Sequence, residues 1–191
     1  MRKFLILLLA LAGTALASCA QSSPNMNRRQ PSHSAVLVAY FSATGTTAQA
    51  AEKLATAIGG TLHIIRPEKP YTADDLNWHN NASRSSVEMN NPQSRPTLQA
   101  DELDTEAYDI IFIGYPIWWD EAPRIINTFI EKHRLKGKRV IPFATSGSSS
   151  INNSIQKLKR TYPDIKWENG KLLNKATEST IKQWTQEVLS E

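Results

Sequence analysis

The chain has 191 residues and a single cysteine, Cys19. One thiol excludes an internal disulfide framework, a multi-cysteine zinc cluster and a cysteine-bound iron–sulfur centre. No apolar run approaches the roughly 20 residues that a spanning helix requires, the run at the start extending only from Phe4 to Ala12. The glycine spacing GxGxxG is absent and the glycine loop around Gly45 contains no lysine. Dinucleotides, and nucleotides whose terminal phosphates need a Walker-type lysine, are therefore disfavoured. Charge of neither sign dominates, with 22 Lys and Arg against 18 Asp and Glu for a formal +4. No nucleic-acid partner is expected.

What is present begins with the setting of that cysteine. Two basic residues, Arg2 and Lys3, precede the apolar run, and small residues lead from it to Cys19. This is the n-region and h-region of an export signal. Leu16-Ala17-Ser18-Cys19 resembles the bacterial lipobox, in which cleavage before the cysteine leaves it carrying lipid. An ordinary secretory signal with an incidental Cys, or a short uncleaved anchor, are the alternatives. The lipobox reading makes residues 1–18 a lipoprotein signal peptide, Cys19 the lipidated residue and 19–34 a flexible tether. It places the protein in a bacterial cell envelope, on the periplasmic or extracellular side, held to a membrane through its lipid. Losing Arg2 and Lys3 lowers the formal charge from +4 to +2, so part of the basic balance belongs to the targeting segment. Ala20 to Ser34 is polar, with two prolines and no apolar period. Fifteen such residues reach roughly 20 Å on average and about 50 Å at full extension.

From residue 35 to 191, apolar runs alternate with amphipathic patterns, as in one α/β domain. Strands are predicted at Ala35–Phe41, Thr61–Ile65, Asp109–Gly114 and Arg139–Ala144, with a short fifth within Ile165–Leu173. Helices are predicted at Thr46–Ile58, Pro123–Lys132, Ser150–Arg160 and Thr177–Leu189. The alternation points to parallel βαβ units in an open, doubly wound five-stranded parallel sheet of order 2-1-3-4-5, with helices on both faces. Residues 66–106 break the rhythm, holding Tyr71, Trp78, five Asn and four Pro without a sustained period. A connection of that length is a lid over a site or a surface excursion that buries Trp78 in its own small cluster.

Three loops at the carboxyl ends of strands carry the chemistry. Ser42-Ala43-Thr44-Gly45-Thr46-Thr47 lies between the first strand and first helix, where free N–H groups, the helix dipole and hydroxyls favour an anion. A Ser- and Thr-rich N-cap is its simpler explanation. Gly114-Tyr115-Pro116-Ile117-Trp118-Trp119-Asp120 follows the third strand, and a flat apolar ligand would cover its paired indoles, unless one plugs the core beneath. Thr145-Ser146-Gly147-Ser148-Ser149-Ser150 follows the fourth and brings backbone donors toward heteroatoms. One site with a phosphate cradle, an aromatic wall and a hydrogen-bonding loop complements flavin mononucleotide.

The strings YFSATGTTAQAAEKLA, GYPIWWDEAP and PFATSGSSSI resemble the flavodoxin superfamily, in particular its compact bacterial members. The resemblance covers essentially all of residues 35–191 and implies a flavodoxin-like fold with FMN as cofactor. It implies that Ser42, Thr44, Gly45, Thr46 and Thr47 hold the phosphate and that Pro116, Ile117, Trp118 and Trp119 border the isoalloxazine. Thr145, Ser146, Gly147 and Ser148 would lie along its other edge, although Gly147-Ser148 departs from the Gly-Gly often found there. The function it implies is electron transfer or reduction of a small acceptor such as a quinone, with a redox partner protein as the other possibility. A non-catalytic flavin- or partner-binding protein on the same fold is the alternative. No side chain stands out as a general acid or base, since His33 falls in the tether and His63, His79 and His133 are isolated in the sequence. The cluster Lys132, Arg134, Lys136, Lys138 and Arg139 reads as a solvated edge or as a docking face for anionic lipid or an acidic partner.

Overall fold

The computed structural model describes residues 35–190. The expected signal, tether and Cys19 lie outside the described residues. Strand β1 (Val36–Tyr40) lies inside the sheet: β2 (Thr61–Ile64) pairs on one side, β3 (Ile110–Pro116) on the other, and β4 (Arg139–Thr145) lies beyond β3. All pairings are parallel and the path is β2-β1-β3-β4-β5, the expected order.

The fifth position holds two short pieces rather than one strand, β5 (Lys166–Trp167) and β6 (Lys171–Leu172), both parallel to β4. Pro142 explains the break. The carbonyls of Val140 and Ala144 accept from this side, at 2.9 Å each, so position 142 faces it too, and proline has no N–H to offer. Between the paired segments β4 has two residues and the fifth position three, Glu168, Asn169 and Gly170, a bulge of one. Gly170 passes so close to the Pro142 carbonyl that a Cβ would collide with it.

Side-chain alternation along the strands builds two cores. Leu37, Ala39, Phe41, Ile111, Ile113 and Tyr115 face α3 (Arg124–Lys132) and α4 (Asn152–Thr161), whose Ile125, Ile126, Phe129, Ile155 and Leu158 close that layer. Val38, Tyr40, Phe112, Ile141 and Phe143 face α1 (Thr46–Ile58) and α5 (Glu178–Leu189), which contribute Ala50, Leu54, Ile181, Trp184 and Val188. Apolar side chains on both faces of each central strand are why these strands read as continuous apolar runs.

The 66–106 segment contains a helix that its sequence did not announce, α2 (Arg84–Asn90). Seven residues of mixed polarity are too few to display a period, and the helix depends on Ser83, which caps it by accepting from Ser86 N–H at 3.3 Å. A bridge between Pro67 and Leu98 closes the base of the excursion, and a single 3-10 turn, Thr105–Ala107, leads into β3.

Candidate functional site

β1, β3 and β4 end side by side, so the loops after them meet above the sheet. The first turns into α1 at Gly45, the residue before the helix, at φ 90°. Glycine adopts this left-handed backbone without strain, and it turns the chain so that the first N–H groups of α1 point outward. Ser42 Oγ accepts from Gly45 N–H at 3.1 Å, no side chain caps α1, and its first turn carries no acidic residue. The helix end is therefore open to an anion. Thr44, Gly45 and Thr46 are exposed. Thr47 points inward instead: it is 1% exposed and its Oγ1 shares a 2.7 Å hydrogen bond with Thr145 Oγ1, tying the first loop to the third.

The second loop divides its two indoles between two tasks. Trp118 packs edge-on against Phe41 (5.7 Å, 87°) and Tyr71 (5.4 Å, 81°), so it is the one that seals the core. Trp119 is 47% exposed. Trp118 and Glu121 exchange backbone hydrogen bonds of 3.0 and 2.9 Å across Trp119 and Asp120, which sit at φ 45° and 66°. This is a type I′ turn built without glycine or asparagine. A bulky residue held in left-handed backbone costs energy that its surroundings must offset. Pro116, expected in the loop, is the last residue of β3, because pairing with β4 continues to Thr145.

The third loop is pinned from a direction that the sequence did not suggest. Asn174, after β6, accepts from Ser146 N–H at 2.9 Å and donates to the Ser146 carbonyl at 2.5 Å. Ser148 N–H is held by Ser146 Oγ at 3.3 Å, and Gly147 is open on its Cβ side.

Between these elements lies a cleft of about 480 Å³, lined by Ala43, Thr44 and Pro116 to Trp119 on one side and by Leu76, Trp78 and Ser85 on the other. Its size falls in the range of roughly 300–1,000 Å³ that small-molecule sites occupy. The first two loops line it; the third supports them, with Thr145 bonded to Thr47 and its carbonyl accepting from Ile117 N–H at 2.8 Å. The far wall comes from the 66–106 segment. Trp78 is 64% exposed and belongs to the cleft rather than to a separate cluster, as a lid over the site requires. Tyr71 anchors that wall, donating to Glu88 Oε2 at 2.5 Å under the Arg84 guanidinium, which stands 3.9 Å from its ring centre and donates to Glu88 Oε1 at 2.7 Å. Burial, reinforced by the Glu88 carboxylate, pushes the Tyr71 phenol well above the usual range, so it remains a donor.

The remaining candidates lie elsewhere. His63 and His133 converge on Asp101 and do not line the cleft, while His79 stacks on Trp78 at its rim. Most of the basic cluster is engaged: Lys132 with Asp101 at 3.0 Å, Lys136 with Asp164 at 3.1 Å, Arg139 with Glu168 at 2.8 Å, and Lys138 with the Tyr108 carbonyl at 2.9 Å. Interleaved acids make this a solvated edge.

The sequence profile of the flavodoxin family matches residues 35–188. The chain belongs to the flavodoxin family. Among solved structures, a Bacteroides eggerthii protein classed as a flavoprotein shares 59% identity over 83% of this chain and 99% of its own, with a TM-score of 0.80. A Bacteroides uniformis counterpart shares 57% identity over 80% of this chain and 98% of its own, with a TM-score of 0.78. A Lactobacillus acidophilus flavoprotein, solved in complex with FMN, has the same fold at 19% identity, with a TM-score of 0.67 over 83% of this chain and 99% of its own. No curated protein matches the chain.

Proposed function

We propose that the protein is an exported, lipid-anchored redox protein that binds FMN and passes electrons to a small acceptor such as a quinone. The observation that carries the reading is the cleft itself, with an open helix N-terminus at one end and a strained, half-exposed indole at the other. The N–H groups of Thr46 and Thr47 and the hydroxyls of Ser42, Thr44 and Thr46 would hold the phosphate, with Gly45 turning the chain so that they converge and the buried Thr47–Thr145 bond keeping that cradle in register with β4. Pro116, Ile117, Trp118 and Trp119 would border the ring, and of the third loop the exposed Gly147 and Ser148 would approach its polar edge while buried Thr145 braces the first loop. The solved FMN complex on the same fold supports this assignment. Bound FMN supplies the reversible redox chemistry.

The protein's own side chains bind, orient and exclude water. Trp118 is fixed by Phe41 and Tyr71 and cannot swing away, Leu76 and Trp78 cover the ring from the far wall, and no carboxylate lines the cleft. Cys19, cleaved at its amino side and lipidated, would keep this chemistry beside a membrane, where apolar acceptors partition. Among the described residues no helix is long and apolar enough to cross one. Purified protein is expected to show a flavin absorbance spectrum, or to take up FMN stoichiometrically. Colourless protein that ignores added FMN would overturn the reading. Once loaded, anaerobic titration with reduced nicotinamides and with quinols separates a reductase from a carrier.

A further inference from the structure

Arg124, in the first turn of α3, is 5% exposed, and no part of the flavin site explains its burial. One Nη donates to Glu121 Oε2 and the other to the Met89 carbonyl, both at 2.7 Å, while Nε is buried without a partner. Burying a guanidinium is costly unless its partners need it. Here they belong to opposite walls of the cleft. Glu121 closes the I′ turn that presents Trp119, through both backbone bonds to Trp118. Met89 lies in the last turn of α2, where carbonyls lack helical partners and a cation is favoured. One turn earlier α2 places Ser85 in the cleft wall, and Ser85 N–H donates to the Asp75 carbonyl at 2.9 Å, next to Leu76.

We propose that Arg124 is a positioning residue that fixes the spacing of the two cleft walls, and with it the width of the slot that receives the flavin ring. The last clause rests on the flavin reading above. A planar fork can satisfy both walls at once, whereas the single ammonium of lysine cannot span both acceptors along the same directions. The strained backbone at Trp119 supplies a reason for the bridge: a turn lacking glycine and asparagine relaxes unless something holds its closing residue. Lys157 Nζ, 3.6 Å from Glu121 Oε1, is 43% exposed and is the weaker hold.

Hydrogen exchange of the full-length, flavin-free protein tests the bridge without invoking FMN. In R124K, the amides of Trp118 and Glu121 and those of Val87 to Asn90 are expected to exchange about tenfold faster together, with β1 and β3 unchanged. Unchanged exchange at both walls, or a response confined to one, would overturn the proposal. E121Q, a milder change, should loosen the turn while leaving α2 protected; an unresponsive turn there overturns it too, even if R124K does not fold. In the flavin arm, R124K should weaken FMN and riboflavin binding in equal proportion, by about tenfold, because the ring slot is affected and the phosphate cradle is not. Unaltered affinity, or a loss confined to FMN, contradicts the proposed role. Wild-type protein that takes up no FMN would remove the flavin reading and leave the exchange result standing.

Discussion

Trp119 shows how a single position can be set against local stability. Asparagine is among the residues that accept φ near 45° most readily, and I′ turns favour Asn-Gly. Replacing Trp119 by Asn is expected to raise stability by about 1 kcal/mol in urea denaturation, by relieving strain of the usual 1–3 kcal/mol size less the packing the indole loses. The same variant should bind FMN more weakly, measured by flavin fluorescence titration. A fall in stability with unchanged FMN affinity would mean that the indole is packing material and no part of the site. Trp118 is the counter-case beside it: two aromatic neighbours and partial burial make it structural first.

At the scale of elements, the N-terminus of α1 carries two threonines with different duties. Thr44 is exposed, so Thr44→Val should leave stability within about 0.5 kcal/mol of wild type and weaken FMN more than riboflavin. Thr47→Val breaks the buried hydroxyl pair with Thr145 and should cost about 1–2 kcal/mol of stability, weakening both ligands through the displaced loop. Thermal denaturation and paired titrations of the two flavins separate these outcomes.

A second element-scale device joins β2, the end of α3 and the strand-like return of the 66–106 segment. His63 Nε2 and His133 Nε2 stand 3.4 and 3.6 Å from Asp101 Oδ2, too far for good hydrogen bonds, and both nitrogens are otherwise unpartnered. Burial holds both imidazoles below the usual histidine range, outweighing the attraction of Asp101. A histidine with a lower pKa folded than unfolded is protonated first in the unfolded chain. Stability from this pair is thus intact above about pH 6.5 and is lost as pH falls through the folded values. The urea midpoint should drop between about pH 7 and pH 5, and the double variant H63Q/H133Q should flatten that drop. An equally steep drop in the double variant would assign the acid sensitivity elsewhere.

For the whole molecule, the proposed lipid anchor predicts attachment to a membrane through Cys19 rather than through the domain's basic edge, which is interleaved with acids. Changing Cys19 to Ser is expected to move the protein from the membrane fraction to the soluble fraction, or to stop its maturation, while the flavin spectrum persists. Loss of the spectrum along with attachment would contradict the separation of anchor from redox domain. Detachment on neutralising Lys132, Arg134 and Lys136, with Cys19 intact, would restore the docking-face reading.

The apolar runs at β1, β3 and β4, the helical stripes between them and the glycine that ends the first stripe located the strands and the three loops from sequence alone, because strands buried on both faces and amphipathic helices leave strong local signatures. Other features rest on contacts between residues far apart in the chain. The split fifth strand follows from a proline in its neighbour, the clamp on Ser146 comes from Asn174, and Thr47 turns inward to reach Thr145. None of these has a periodicity of its own. The 66–106 segment is the fullest case. Tyr71 and Trp78 were visible as aromatics in a polar stretch, but α2 is too short to announce itself, and its place in the cleft's far wall depends on Tyr71 reaching Glu88 and Arg124 reaching the Met89 carbonyl, 17 and 35 residues apart in the chain. Local chemistry named the loops that meet above the sheet, and tertiary packing decided which of their residues line the cleft and which brace its walls.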